Sequence, residues 1–154
     1  MTYWRMQLHP SETDGAIKHT VESLSAGYVG LDFASDVPDL LTVEQGSLPA
    51  NQRIYWQFAH DMAEGDHVLL FAHHFPFALV RIAGPYNYIR SASPEIGVWF
   101  RHFRPVDEIQ YYGDLVKNAR LWEPITMTAT ITPLRDPDSA SYQLINHWLQ
   151  AVAI

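Results

Sequence analysis

The segment Gly65–Ala83, GDHVLLFAHHFPFALVRIA, constrains the fold more than any other stretch of this chain. A Gly-Asp turn leads straight into a continuous apolar run, His67 to His73, whose length and flanking turn signals mark a strand buried on both faces. Phe77 to Ala83 is expected to return as its partner, with His74-Phe75-Pro76 as the connection. A strand buried on both faces requires a sheet with cover on each side, so the flanking segments must supply that cover.

Those segments divide into two periodicities. Thr2 to Leu8 alternates, with Trp4, Met6 and Leu8 on one face and Tyr3, Arg5 and Gln7 on the other, which is the period of a half-buried strand. Tyr28 to Phe33 and Val98 to Phe103 read as further strands, broken by Asp36-Val37-Pro38-Asp39 and by Pro105. Ile125, Met127, Ala129 and Ile131 alternate with threonines in another strand, which Pro133 is expected to end. Helical spacing shows in three places. One is Ile17, Val21 and Leu24, opened by Asp14 and stopped near Gly27. Another is Ile54, Phe58 and Met62, capped by Asn51 and ended by Gly65. The last is Tyr142, Ile145 and Leu149, opened by Asp136-Pro137-Asp138-Ser139. Leu40 to Pro49 reads as loop or a short helical turn. Strands and helices do not alternate regularly, so the expected class is α+β, a strongly bent sheet or small barrel rather than a doubly wound parallel sheet.

The chain of 154 residues is expected to form one domain, 1–154, with 47% hydrophobic residues to build its core. The absence of cysteine rules out a disulfide framework, a thiolate nucleophile and a Cys-ligated zinc. No leader or spanning segment is visible, and the expected location is the cytoplasm. The formal charge of −7 argues against indiscriminate nucleic-acid binding. Its distribution is uneven: Arg81 to Arg104 holds four arginines, Arg81, Arg90, Arg101 and Arg104, against one acid, Glu95.

Catalytic patterns are missing. There is no Walker loop, no G-x-G-x-x-G and no G-x-S-x-G elbow. The only lysines, Lys18 and Lys117, do not follow strand-borne acids as a metal-dependent nuclease requires. His60, Asp61, His67, His73 and His74 crowd into fifteen positions, but neither H-E-x-x-H nor a one-turn ligand pair is present. The expectation is a binding protein with no reaction, no metal and no cofactor. Aromatic residues are 13% of the chain and several stand at element ends. Flat rings at loop rims can stack on a nucleobase, although large aromatics also fill cores.

The run RIYWQFAHDMAEGDHVLLFAHHFPFALVRIAGPYNYIR carries Trp56-Gln57-Phe58, Gly65-Asp66 and Gly84-Pro85-Tyr86-Asn87-Tyr88, and Arg104-Pro105-Val106 follows further along the chain. In this order they resemble the PUA-like superfamily, and within it the EVE, YTH-like and McrB or Mrr N-terminal recognition domains. The segments YWRMQL and YVGLDFASDVPDL fall where that family has its first strand and a pocket-lining loop. The chain departs from the family at Asp107, where Trp is common. The resemblance implies a PUA-like twisted β-barrel of five or six strands with flanking helices. It also implies a pocket that holds a flipped, methylated or otherwise modified base, in a setting such as defence against foreign DNA. Carried over residue by residue, it nominates Trp4, Phe33, Trp56, Tyr86, Tyr88 and Trp99 as pocket walls and Asp32 as the polar reader. Arg81, Arg90, Arg101 and Arg104 become phosphate contacts. The implied partner is DNA with a modified base, together with a separate nuclease or AAA+ effector and no membrane. Two other readings stay open: a small-molecule or nucleotide sensor using the same pocket, and a protein-interaction subunit.

Overall fold

The computed structural model describes residues 1–8, 16–31, 37–72, 74–91, 100–125 and 129–152. The described residues form seven strands: β1 (Tyr3–Gln7), β2 (Tyr28–Leu31), β3 (His67–Ala72), β4 (Phe75–Ile82), β5 (Asn87–Tyr88), β6 (His102–Tyr111) and β7 (Ile131–Leu134). Among the described residues four α-helices accompany them: α1 (Ala16–Ala26), α2 (Arg53–His60), α3 (Tyr112–Leu115) and α4 (Ala140–Val152). The architecture is α+β, a sheet curled into a half-barrel with order β2-β6-β4-β3-β1-β7, and β5 pairs beside the start of β6. β1 runs parallel to β3, while the other pairs are antiparallel.

All six residues of β3 are buried, and they feed two separate cores. Val68 and Leu70 join Trp4, Met6, Phe58 and Ile82 in the larger cluster, whereas Leu69 and Phe71 meet Ile145 and Trp148 of α4 in the other. This is the double cover that an uninterrupted apolar strand demands. β1 alternates as its sequence requires, burying Trp4 and Met6. α1 stops at Gly27, whose φ is 87°. Its inward face is Thr20, Ser23 and Leu24, and Val21 is exposed, contrary to the expected stripe.

Several element boundaries differ from expectation, three of them at prolines. Pro105 does not end a strand. β6 runs through it, because there the strand changes partner from β2 to β4: Tyr28 pairs with Pro105, and Ile82 with Val106. The Pro105 carbonyl still accepts from Ala83, and the ring packs on Gly84, just past the end of β4. Pro133 likewise lies inside β7 opposite Trp4, in the strand at the end of the sheet order, where a missing amide proton leaves no ladder broken. Pro76 stands within β4, so the hairpin connection is tighter than His74-Phe75-Pro76. At α2 the residue before the helix is Gln52, without a side-chain cap, and Asn51 belongs to a preceding 3-10 turn, Ala50–Gln52. Residues 92–99 and 126–128, where parts of two expected strands fall, lie outside the described residues. Among the described residues no helix is long and apolar enough to cross a membrane.

Candidate functional site

The 3-10 turn Leu40–Thr42 is short, yet three side chains pin it and the residue after it to the body of the protein. The buried Leu40 donates its N–H to the Tyr86 hydroxyl at 3.0 Å, and its carbonyl accepts from His60 Nε2 at 2.7 Å. Because a carbonyl only accepts, His60 must carry its proton on Nε2. Trp56 stacks on that imidazole, with centroids 3.8 Å apart and planes at 12°, and donates its indole N–H to the Val43 carbonyl at 3.1 Å. The turn is therefore fixed to one face of α2 by a stacked pair of rings.

Tyr86 links this turn to the sheet. Its hydroxyl lies 2.7 Å from Nδ1 of the fully buried His102, and its ring stacks beside that imidazole at 28°. Burial pushes the Tyr86 pKa well above the ordinary tyrosine value, the Leu40 amide opposes the shift, and the Asp39 charge adds to it. The hydroxyl therefore keeps its proton. His102 in turn contacts the Tyr88 ring, 5.0 Å away, and faces it across the β5–β6 pair.

Between the turn and Tyr88 lies a cavity of about 540 Å³ lined by Pro38, Asp39, Thr42, Tyr88 and Arg90. Its size suits a small organic ligand. Asp39 accepts the Leu41 amide on Oδ1 at 3.0 Å, and the Thr42 hydroxyl donates to the Asp39 carbonyl at 2.8 Å. Tyr88 offers a half-buried ring, while Arg90 is exposed. One wall is polar and held rigid, the other is aromatic, and a cation stands at the edge.

The described residues among those nominated from the sequence do not gather in one place. Tyr88 and Arg90 line the cavity. Tyr86 and Trp56 stand behind its wall as supports. Trp4 is 2% exposed in the core, where its indole N–H meets Asp66 Oδ2 at 2.9 Å; Asp66 also accepts the Thr2 and Ala63 amides. Asp32, Phe33 and Trp99 lie outside the described residues.

The arginines separate just as sharply. Arg81 makes a two-pronged ion pair with Asp107, both contacts at 2.8 Å, and reaches Glu108 at 3.4 Å. That pair holds the Asp107 carboxyl below the usual carboxylate range. Glu108 sits in a bulge with φ of 48°, beside a second concavity of about 440 Å³. Arg101 is half-buried at the entry to β6. Arg104 is 4% exposed and donates to the carbonyls of Phe58, Met62 and Gly84. Its guanidinium closes the C-terminal end of α2 inside the protein.

The histidine crowding of the sequence also disperses. His60 holds Leu40, His67 lies against Tyr3 and the Met1 sulfur, and His102 joins Tyr86. Among the described residues no three His, Asp or Glu side chains are grouped to hold a metal ion. Sequence reasoning covered Pro38 and Asp39 only within the segment YVGLDFASDVPDL, expected to supply a pocket-lining loop, named neither as a lining residue, and missed Thr42. Taken by itself, an Asp followed by Thr three residues on is a turn signature that carries no ligand information. No protein-family model matches the chain, and no curated protein matches it.

Proposed function

We propose that this chain is a non-enzymatic nucleic-acid-binding domain of PUA-like type, and that the cavity beside Tyr88 receives a modified base turned out of a DNA strand. The observation that carries this reading is the composition of the cavity: a stacking ring, a polar wall held rigid by Tyr86 and His60, and an exposed arginine at the rim. Each part has a counterpart in a nucleotide. Tyr88 stacks on the base, Asp39 and Thr42 meet its edge, and Arg90 takes a phosphate. Turning a base out of its stack costs a few kcal/mol, and stacking at about 1–3 kcal/mol together with edge hydrogen bonds offsets it. A nuclease or motor that acts on the bound DNA would be a separate partner.

A free nucleotide is the second reading, favoured by the formal charge of −7, which repels an extended polyanion more than a single nucleotide. Titration of labelled single- and double-stranded oligonucleotides at low salt, plain against cytosine- and adenine-methylated, separates the two. The expected result is preferential binding of one modified strand, weakened at least about tenfold by Tyr88→Ala. Equal, weak binding of every strand overturns the reading. Thermal stabilisation by free nucleotides alone would then point to the sensor.

A further inference from the structure

On the wall of the cavity opposite Tyr88 the three backbone N–H groups of the turn are already engaged. The Leu40 amide is held by the Tyr86 hydroxyl, the Leu41 amide by Asp39 Oδ1, and the Thr42 amide by the Asp39 carbonyl at 3.0 Å. Pro38 has no N–H to offer. The Thr42 hydroxyl has a single proton, and at 2.8 Å from the Asp39 carbonyl that proton is committed as well, because a carbonyl only accepts. The side chains left facing the cavity on this wall are thus the Thr42 oxygen, through its lone pairs, and the half-buried Asp39 carboxylate. A carboxylate has about four acceptor sites and no proton to give. The Leu41 amide uses one of them. Among the described lining residues, Tyr88 and Arg90 supply donors from the other side.

We infer that the cavity selects a base bearing an exocyclic amino group, directed at Asp39 and Thr42, over the analogue that lacks it. This inference rests on the base-binding reading above. An amino group supplies two N–H donors to a wall of acceptors. A carbonyl in the same place would set oxygen lone pairs against a carboxylate and leave both sides without a partner. Sites that hydrogen-bond a substrate N–H reject the analogue without it far more strongly than apolar pockets reject a missing methyl. The wall has little freedom to adapt, because Tyr86 and His60 hold Leu40 by both its amide and its carbonyl.

The test is isothermal titration of the intact chain with nucleoside monophosphates in matched pairs: cytidine against uridine, guanosine against inosine, and adenosine against purine riboside. The amino-bearing member of the pair that binds is expected to bind at least about tenfold tighter. Asp39→Asn keeps an oxygen for the Leu41 amide and adds N–H donors, so the preference should fall to about threefold or less. Its folding is checked by thermal melting, and the wild-type comparison decides the matter without it. Equal affinity within every pair, or tighter binding of the keto member, overturns the inference and leaves the base pocket standing. A preference unchanged in folded Asp39→Asn removes Asp39 as its source and overturns the inference too. Binding by no nucleotide and no oligonucleotide overturns the base pocket, and this inference with it.

Discussion

Arg104 carries a full positive charge into the interior, where its donors go to three backbone carbonyls and to no carboxylate among the described residues. Burial lowers its pKa, opposed by the charges of Asp66 and Glu64, yet a guanidinium starts so high that it remains a cation. Arg104→Ala would leave the Phe58, Met62 and Gly84 carbonyls buried without donors. The expected cost is at least about 3 kcal/mol, read as a lower urea midpoint. Arg104→Lys should recover only part of it, since a point charge cannot serve carbonyls on two sides of the fork. His67, 8% exposed, gives a pH signature. Burial depresses its pKa, with Glu108, Asp66 and Asp107 pulling upward against it. A depressed folded pKa means that the neutral form stabilises the fold. That contribution is complete above about pH 6.5, the unfolded value, and is lost as pH falls through the folded one. Urea denaturation from pH 8 to 5 should show stability falling on the acid side, and His67→Gln should flatten that limb.

Elements show where local rules met competition. β1 and β3 follow their hydrophobic periods because their partners lie on the faces that the periods predict, whereas α1 turns Thr20, Ser23 and Leu24 inward and leaves Val21 exposed. The prolines misled because a strand tolerates proline where no ladder bond is required, and that depends on what lies alongside. Pro105 stands at a change of partner and Pro133 in the outermost strand, neither visible from a window of ten residues. β2 and its neighbours approach so closely that a Cβ on Gly30 would lie 2.4 Å from the Phe100 Cβ. Gly30→Ala should destabilise by about 1–3 kcal/mol or more, with the urea midpoint lowered and the slope unchanged. A tolerated alanine would mean that Phe100 can withdraw and that this edge of the half-barrel is loosely packed.

Across the whole molecule, β3 separates two cores, and the cavity sits at the end of the curl where the turn, β5 and the first half of β6 converge. Four arginines between 81 and 104 look alike in the sequence, but the fold sorts them. Arg81 is paired with Asp107, Arg104 is internal, and Arg90 stands exposed at the cavity. If the cavity binds nucleic acid, Arg90→Ala should reduce the slope of log K against log salt by about one unit. Arg81→Ala should change that slope less, since Asp107 already neutralises its charge. Salt titration of oligonucleotide binding measures both; an unchanged slope in Arg90→Ala would remove that residue from the phosphate path. The sequence by itself determined the α+β class, the doubly buried central strand, most helix positions and the abundance of aromatic rings, because each of these follows from composition or from periods a few residues long. Only the tertiary structure decided which rings line a cavity and which support it. Tyr86, Trp56 and Tyr88 share one chemistry, and their roles depend on contacts with Leu40, Val43 and His102, 13 to 46 residues away in the chain.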